Sequence, residues 1–152
     1  MDPHKLAFGT FLIRLFIGAG LGLIIGLERQ WRGRPAGAHT TGLVAAGAAT
    51  FAAISPAIGG GGDDRIVANI VTGVGFLAGG VILREGASVT GLNTAATLWA
   101  TAAVGALAGL GLFREAGAAA FAVLFINFSA DSIVRVLSTW YQRIKDRRQE
   151  KA

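Results

Sequence analysis

Residues 15–27 read Leu15-Phe-Ile-Gly-Ala-Gly-Leu-Gly-Leu-Ile-Ile-Gly-Leu27, an apolar run with no charge in which Gly18, Gly22 and Gly26 recur every four residues. Residues four apart share one face of a helix, and glycine there lets a second helix backbone come close. Charge-free runs recur along the rest of the chain. Charge is absent from Thr40 to Gly62, Ile66 to Leu83, Gly86 to Phe113 and Ala116 to Ala130. These runs approach or exceed the roughly 18 apolar residues that read as a membrane-crossing helix. With 53% hydrophobic and only 15% charged residues, the 152-residue chain reads as one membrane domain rather than an ordinary soluble one.

The pattern predicts an all-α, polytopic transmembrane bundle of about five spans, near residues 7–27, 38–58, 66–83, 93–112 and 116–136. Gly33 and Pro35 stop the first span, Gly59 to Gly62 separates the second from the third, and Gly86 and Gly91 bracket the next turn. The break at Arg114 and Glu115 is weaker, but residues 93–136 are too many for one bilayer crossing. Arg29, Arg32, Arg34, Arg84, Arg143, Lys145, Arg147, Arg148 and Lys151 fall on one side; Lys5, Arg65 and Arg114 fall on the other. The positive-inside rule then places the N-terminus outside and the C-terminus in the cytoplasm. Residues 1–136 form the transmembrane domain, and 137–152 a basic cytoplasmic tail suited to lipid headgroups.

The net charge of +5 sits beside apolar spans, which argues for topology and anionic lipid rather than nucleic acid. No cysteine is present, so disulfides and thiolate metal sites are excluded. His4 and His39 are too far apart to suggest a histidine metal site, and the identity of any metal is left unknown. Gly73, Gly75 and Ala78 match a short dinucleotide pattern, but no strand precedes them and no acidic residue follows at the required distance.

Further small-residue seams run through Gly73, Gly75 and Gly79 and through Thr101, Gly105 and Gly109. They predict close packing within the bundle, with a homodimer as the alternative. Polar residues inside apolar spans are costly and point toward function. Three stripes emerge: Asn93, Thr94, Thr97 and Thr101; Asn127, Asp131 and Arg135, with Asp131 and Arg135 spaced as an intramembrane ion pair; and Arg65, Asn69, Gly73, Phe76, Gly80 and Arg84. Glu28 and Arg32 have the spacing of a surface pair. Asn93 is placed to cap the fourth helix. Arg14, alone in the first span, either snorkels outward or pairs across the bundle.

Three ordered blocks carry a family resemblance. They are Gly26-Leu-Glu-Arg-Gln-Trp-Arg-Gly-Arg-Pro-Ala-Gly37, the run Arg65-Ile-Val-Ala-Asn-Ile-Val-Thr-Gly-Val-Gly-Phe-Leu-Ala-Gly-Gly-Val-Ile-Leu-Arg-Glu-Gly86, and Gly91-Leu-Asn-Thr-Ala-Ala-Thr-Leu-Trp99. Together they resemble the MgtC/SapB family of small bacterial inner-membrane proteins. Two departures stand out. Ala38-His39-Thr40-Thr41 replaces the usual Leu-Arg-Thr-His, and the short tail stands where many members carry a soluble domain, so functions resting on that domain are not carried over.

The resemblance implies a multi-pass bacterial inner-membrane protein connected with magnesium limitation, acid stress and survival inside host phagocytes. It also implies action on another membrane protein, such as an ATP synthase or a cation transporter subunit. No phosphate-cradling motif of an ATPase is present. The expectation is therefore a non-enzymatic modulator with membrane lipid as a partner and no cofactor, magnesium being the one candidate ion. The alternative is a small magnesium or other cation channel or carrier, as a monomer or a homodimer, with the polar stripes of the third, fourth and fifth spans lining a path. Glu28, Arg29, Arg32, Arg65, Asn69, Arg84, Glu85, Asn93, Thr94 and Thr97 combine costly polarity with the family blocks and are the candidate functional residues.

Overall fold

The computed structural model describes residues 7–58 and 63–129. Along the chain run α1 (Phe8–Trp31), α2 (Ala38–Ile58), α3 (Asp63–Gly79), a short hairpin of β1 (Leu83–Glu85) and β2 (Ser88–Thr90), and α4 (Leu92–Gly109). A fifth helix, α5, occupies 113–129 within the described residues. The all-α expectation holds apart from the hairpin.

Helix α2 lies at the centre, packed on α1, α3 and α4. Its contacts explain the glycine spacing. A Cβ placed on Gly18 would come within 2.8 Å of the Ala49 Cβ, and one on Gly22 within 2.5 Å of the Ala45 Cβ. At Gly26 it would strike Thr41 and the backbone of Ala38. Gly105 and Gly109 of α4, which also packs on α1, lie against the backbone carbonyls of Ala45 and Ala49. Ala45 and Ala49 are fully buried between two glycine faces. Dispersion between closely approaching backbones can hold such helices together where lipid offers no hydrophobic drive.

The third seam differs. Gly73, Gly75 and Gly79 have no atom within 4 Å of an added Cβ, and Phe76 between them is 84% exposed. The packing expected of these three glycines is not made within the described chain. Spacing permits a close approach but does not supply the neighbour.

Two helix ends follow directly from glycine. Beyond Trp31, Gly33 adopts φ 65°; its amide bonds the Gln30 carbonyl at 3.1 Å, and the Arg34 amide bonds that of Arg29 at 2.9 Å. Beyond Gly109, Gly111 adopts φ 84°, with Gly111 bonding Ala108 at 3.0 Å and Leu112 bonding Leu107 at 2.9 Å. Both are Schellman caps, which need a left-handed residue. The second separates α4 from α5 and confirms two helices where the sequence break is weak.

Helix α3 ends at Gly79 rather than near 83, because residues 83–90 form an antiparallel hairpin. Leu83 pairs with Thr90, Arg84 with Val89 and Glu85 with Ser88. Gly86, at φ 60°, opens the two-residue turn, where glycine is favoured. Gly91 then fills two requirements, a φ of 86° and an approach to the Val81 carbonyl that a Cβ would block. Arg84 therefore leaves the stripe that Arg65 and Asn69 occupy on α3. The Asp131–Arg135 pair and the 137–152 tail lie outside the described residues.

A buried arginine cluster as candidate functional site

The last turn of α1 and the C-cap residue after it carry Glu28, Arg29 and Arg32 to one end of the bundle. Burying a guanidinium is tolerable only when its donors are satisfied. Arg29 is 2% exposed and is held from two directions. Its Nε and Nη2 donate to the Pro35 carbonyl at 3.0 and 2.7 Å. Nη2 also donates to the Thr94 hydroxyl at 2.9 Å, and Nη1 to that of Thr97 at 3.1 Å. One residue thus ties the loop after α1 to the first turns of α4. The Thr97 hydroxyl donates in turn to the Asn93 carbonyl at 2.9 Å, and that of Thr101 to the Thr97 carbonyl at 2.7 Å. By donating its proton to Asn93, the Thr97 hydroxyl keeps oxygen lone pairs for Arg29.

Arg32 continues the cluster toward α5. It pairs with Glu28 at 3.2 Å, donates to the Asn127 carbonyl at 2.8 Å and lies 5.0 Å from the centre of the Phe128 ring. The Asn127 side chain lies 3.5 Å from both Glu28 and Thr97. The structure therefore joins Glu28, Arg29, Arg32, Asn93, Thr94 and Thr97, drawn from two sequence blocks, with Asn127 of the α5 stripe. It does not bring Arg65 or Asn69 there. Asn69 lines an apolar groove between α2 and α3, and Arg65 is exposed at the opposite end of α3. Arg84 and Glu85 lie on the exposed hairpin, where Arg84 Nε bonds the Gly86 carbonyl at 3.2 Å.

Asn93 does not cap α4. That position belongs to Gly91, and no side chain caps the helix start. Asn93 instead sits one residue inside the helix at the rim of a cavity of about 460 Å³, bounded by Arg29, Arg34, Pro35, Thr90 and Thr94. Arg14 pairs across the bundle rather than snorkelling: Nη1 donates to the Gly109 carbonyl at 3.0 Å, placing positive charge at the C-terminal end of α4, where the helix dipole favours it. The Pro35 carbonyl is a site element that the sequence does not mark. Pro35 reads in sequence only as a helix stop, and its acceptor role depends on the fold of residues 32–37.

These features define a class: an apolar bundle seamed by glycine and alanine, with an arginine buried among hydroxyls at one end. Among the described residues, Phe8–Trp31 is a helix long and apolar enough to cross a membrane. The chain belongs to the MgtC family, whose model matches residues 15–136. The protein MgtC of Salmonella typhimurium is 49% identical over 127 residues, covering 84% of this chain and 54% of that protein. The protein MgtC of Brucella abortus is 49% identical over 118 residues, covering 77% of this chain and 50% of that protein. An uncharacterized protein of Synechocystis sp. is 52% identical over 130 residues, covering 85% of this chain and 54% of its own length. The chain thus spans about half the length of these curated relatives. No solved structure matches it.

Proposed function

We propose that the chain is a multi-pass protein of the bacterial inner membrane, crossing about five times with its N-terminus outside and its C-terminus in the cytoplasm. It acts without catalysing a reaction, by helix contact with another membrane protein such as an ATP synthase or cation transporter subunit. The setting is adaptation to low magnesium, acid stress or life inside a host cell. The observation that carries this reading is the face of α3. Gly75 and Gly79, four residues apart on one side of α3, permit the close approach seen at the other seams, yet they stand open beside exposed Phe76. A partner's transmembrane helix fits such a face.

The alternative of a magnesium or other cation carrier has less support. The buried hydroxyls of α4, which would line a path, hold the Arg29 guanidinium, and its charge opposes cation entry. Mg²⁺ also prefers a hard, oxygen-rich octahedral shell. The test combines liposome flux with partner recovery. The purified protein in liposomes passes no magnesium, while in native membranes it retains an ATP synthase or cation transporter subunit that Gly75→Leu releases without lowering thermal stability. Magnesium flux abolished by Asn93→Ala would replace the modulator with the carrier.

A further inference from the structure

The apolar groove between α2 and α3 is not used by the helix-contact reading. About 630 Å³ in volume, it has Leu43, Gly47 and Phe51 of α2 on one wall and Asn69, Gly73 and Leu77 of α3 on the other. Each set steps by four residues, so each wall is one continuous helix face. A Cβ on Gly47 or Gly73 would meet no atom within 4 Å, so nothing in the described chain fills the space between the walls. Gly75 lies about 200° around α3 from Gly73, and the groove is therefore a separate face from the one proposed for the partner.

Asn69 sets the groove apart from an ordinary lipid-facing surface. Among the described residues it is the one polar side chain in the lining, it is exposed, and it makes no hydrogen bond. It stands six residues into the 17-residue α3, about 9 Å along the helix, and so lies inside the span rather than at its end. A carboxamide carries two donors and an acceptor, none of which a hydrocarbon chain can satisfy. Lipid tails would match the groove in shape and leave the amide unpaired, which is costly at that depth. A neighbouring helix must bring a polar group to the same level. A second copy of this chain does so by symmetry, because two copies inserted the same way are related by a two-fold axis along the membrane normal. The amide, at once donor and acceptor, is complementary to itself, and the missing side chains of Gly47 and Gly73 let the facing helices come close.

We infer that this groove is the interface of a two-fold homodimer, in which Asn69 of each copy hydrogen-bonds Asn69 of the other and the apolar walls around Gly47 and Gly73 pack together. The dimer rests on the membrane placement proposed above, but it does not require the partner assigned to the Gly75 side of α3.

The chain contains no cysteine, so a single one reports alone. In native membranes a short bismaleimide joins Asn69→Cys chains into dimers and leaves Phe121→Cys chains, exposed on α5, as monomers. For affinity, Ala87→Cys protein is labelled in separate batches with donor and acceptor dyes and mixed in vesicles of phosphatidylcholine and phosphatidylglycerol. Energy transfer falls as the vesicles are diluted with lipid, which gives the dimer dissociation constant. Asn69→Leu in this background weakens the dimer by about tenfold, the scale of an interhelical hydrogen bond. Gly75→Leu changes it by less than about twofold, since it lies on the other side of the helix. The unfolding temperature of Asn69→Leu in excess detergent stays at that of the parent, as befits a side chain that bonds nothing in its own described chain. Energy transfer no greater than that of randomly placed chains at every dilution overturns the inference and leaves the groove to lipid. A cross-link from Asn69→Cys to a different polypeptide in place of the dimer overturns it in favour of another protein, and a dimer indifferent to Asn69→Leu places the contact elsewhere and overturns it too. Release of the protein from the vesicles by alkaline carbonate would remove the membrane placement along with the dimer, whereas a monomer retained in them removes the dimer alone.

Discussion

At the residue scale, Arg29 sets the terms of the site. It satisfies the Pro35 carbonyl and gives two buried threonine hydroxyls a donor. Removing the side chain leaves those oxygens enclosed without it and opens a void. Arg29→Ala should therefore lower stability by about 2–4 kcal/mol, from lost charge-assisted bonds and the groups they leave behind. Arg29→Lys should recover less than half of that loss, because an ammonium cannot reproduce the planar fork that reaches a carbonyl and two hydroxyls together. Detergent-solubilised protein followed by tryptophan fluorescence during thermal unfolding measures both. Full recovery by lysine would mean that charge alone, and not fork geometry, fastens the loop to α4.

Seams formed by α1 and α4 illustrate, at the element scale, how far glycine spacing predicts packing. At Gly105 an added Cβ meets the Ala45 backbone, which cannot swing aside as a flexible side chain would. Gly105→Ala should cost about 1–3 kcal/mol through overpacking, more than offsetting the gain in helix propensity. Gly75→Ala meets open space and should be neutral or stabilising by up to about 1 kcal/mol. Unfolding the two variants side by side in the same detergent checks this ordering, and equal loss at both positions would show that α3 is packed as tightly as α4.

The same comparison explains what the sequence can convey. Helices, their order and the glycine faces of α1 and α4 follow from charge-free runs and four-residue spacing. The partner face does not, because α2 is small and apolar around most of its circumference, leaving Ala45 and Ala49 indistinguishable from neighbouring alanines. The hairpin is hidden because residues 83–90 are short and lie between two helical patterns; Gly86 marks a turn without declaring strands. Within the site, Arg29 stands out as polarity near a span, but its burial depends on Thr94 and Thr97, more than sixty positions away. Local periodicity carries no record of that contact.

On the scale of the whole molecule, the polar groups gather at opposite ends. Arg29, Arg32, the hairpin, the start of α4 and Asn127 meet at one end, while Arg14 reaches the final turn of α4 and the space beside Gly111 at the other. Between them the outer surface carries Phe16, Phe51, Phe76, Phe121 and Phe125, all exposed. Exposed apolar area of this kind suits lipid contact. If the bundle crosses five times, the hairpin faces the cytoplasm and the α4–α5 turn faces outward. The chain contains no cysteine, so single replacements report position without background. Ala87→Cys, on the hairpin turn, should react with a membrane-impermeant maleimide only after the inner membrane is opened. Glu115→Cys, exposed at the start of α5, should react in intact spheroplasts. The reverse pattern would invert the protein, and equal access from outside would remove one crossing. Either result would move the buried Arg29 cluster to the other side of the membrane, and with it the face on which a cytoplasmic partner could reach the hairpin.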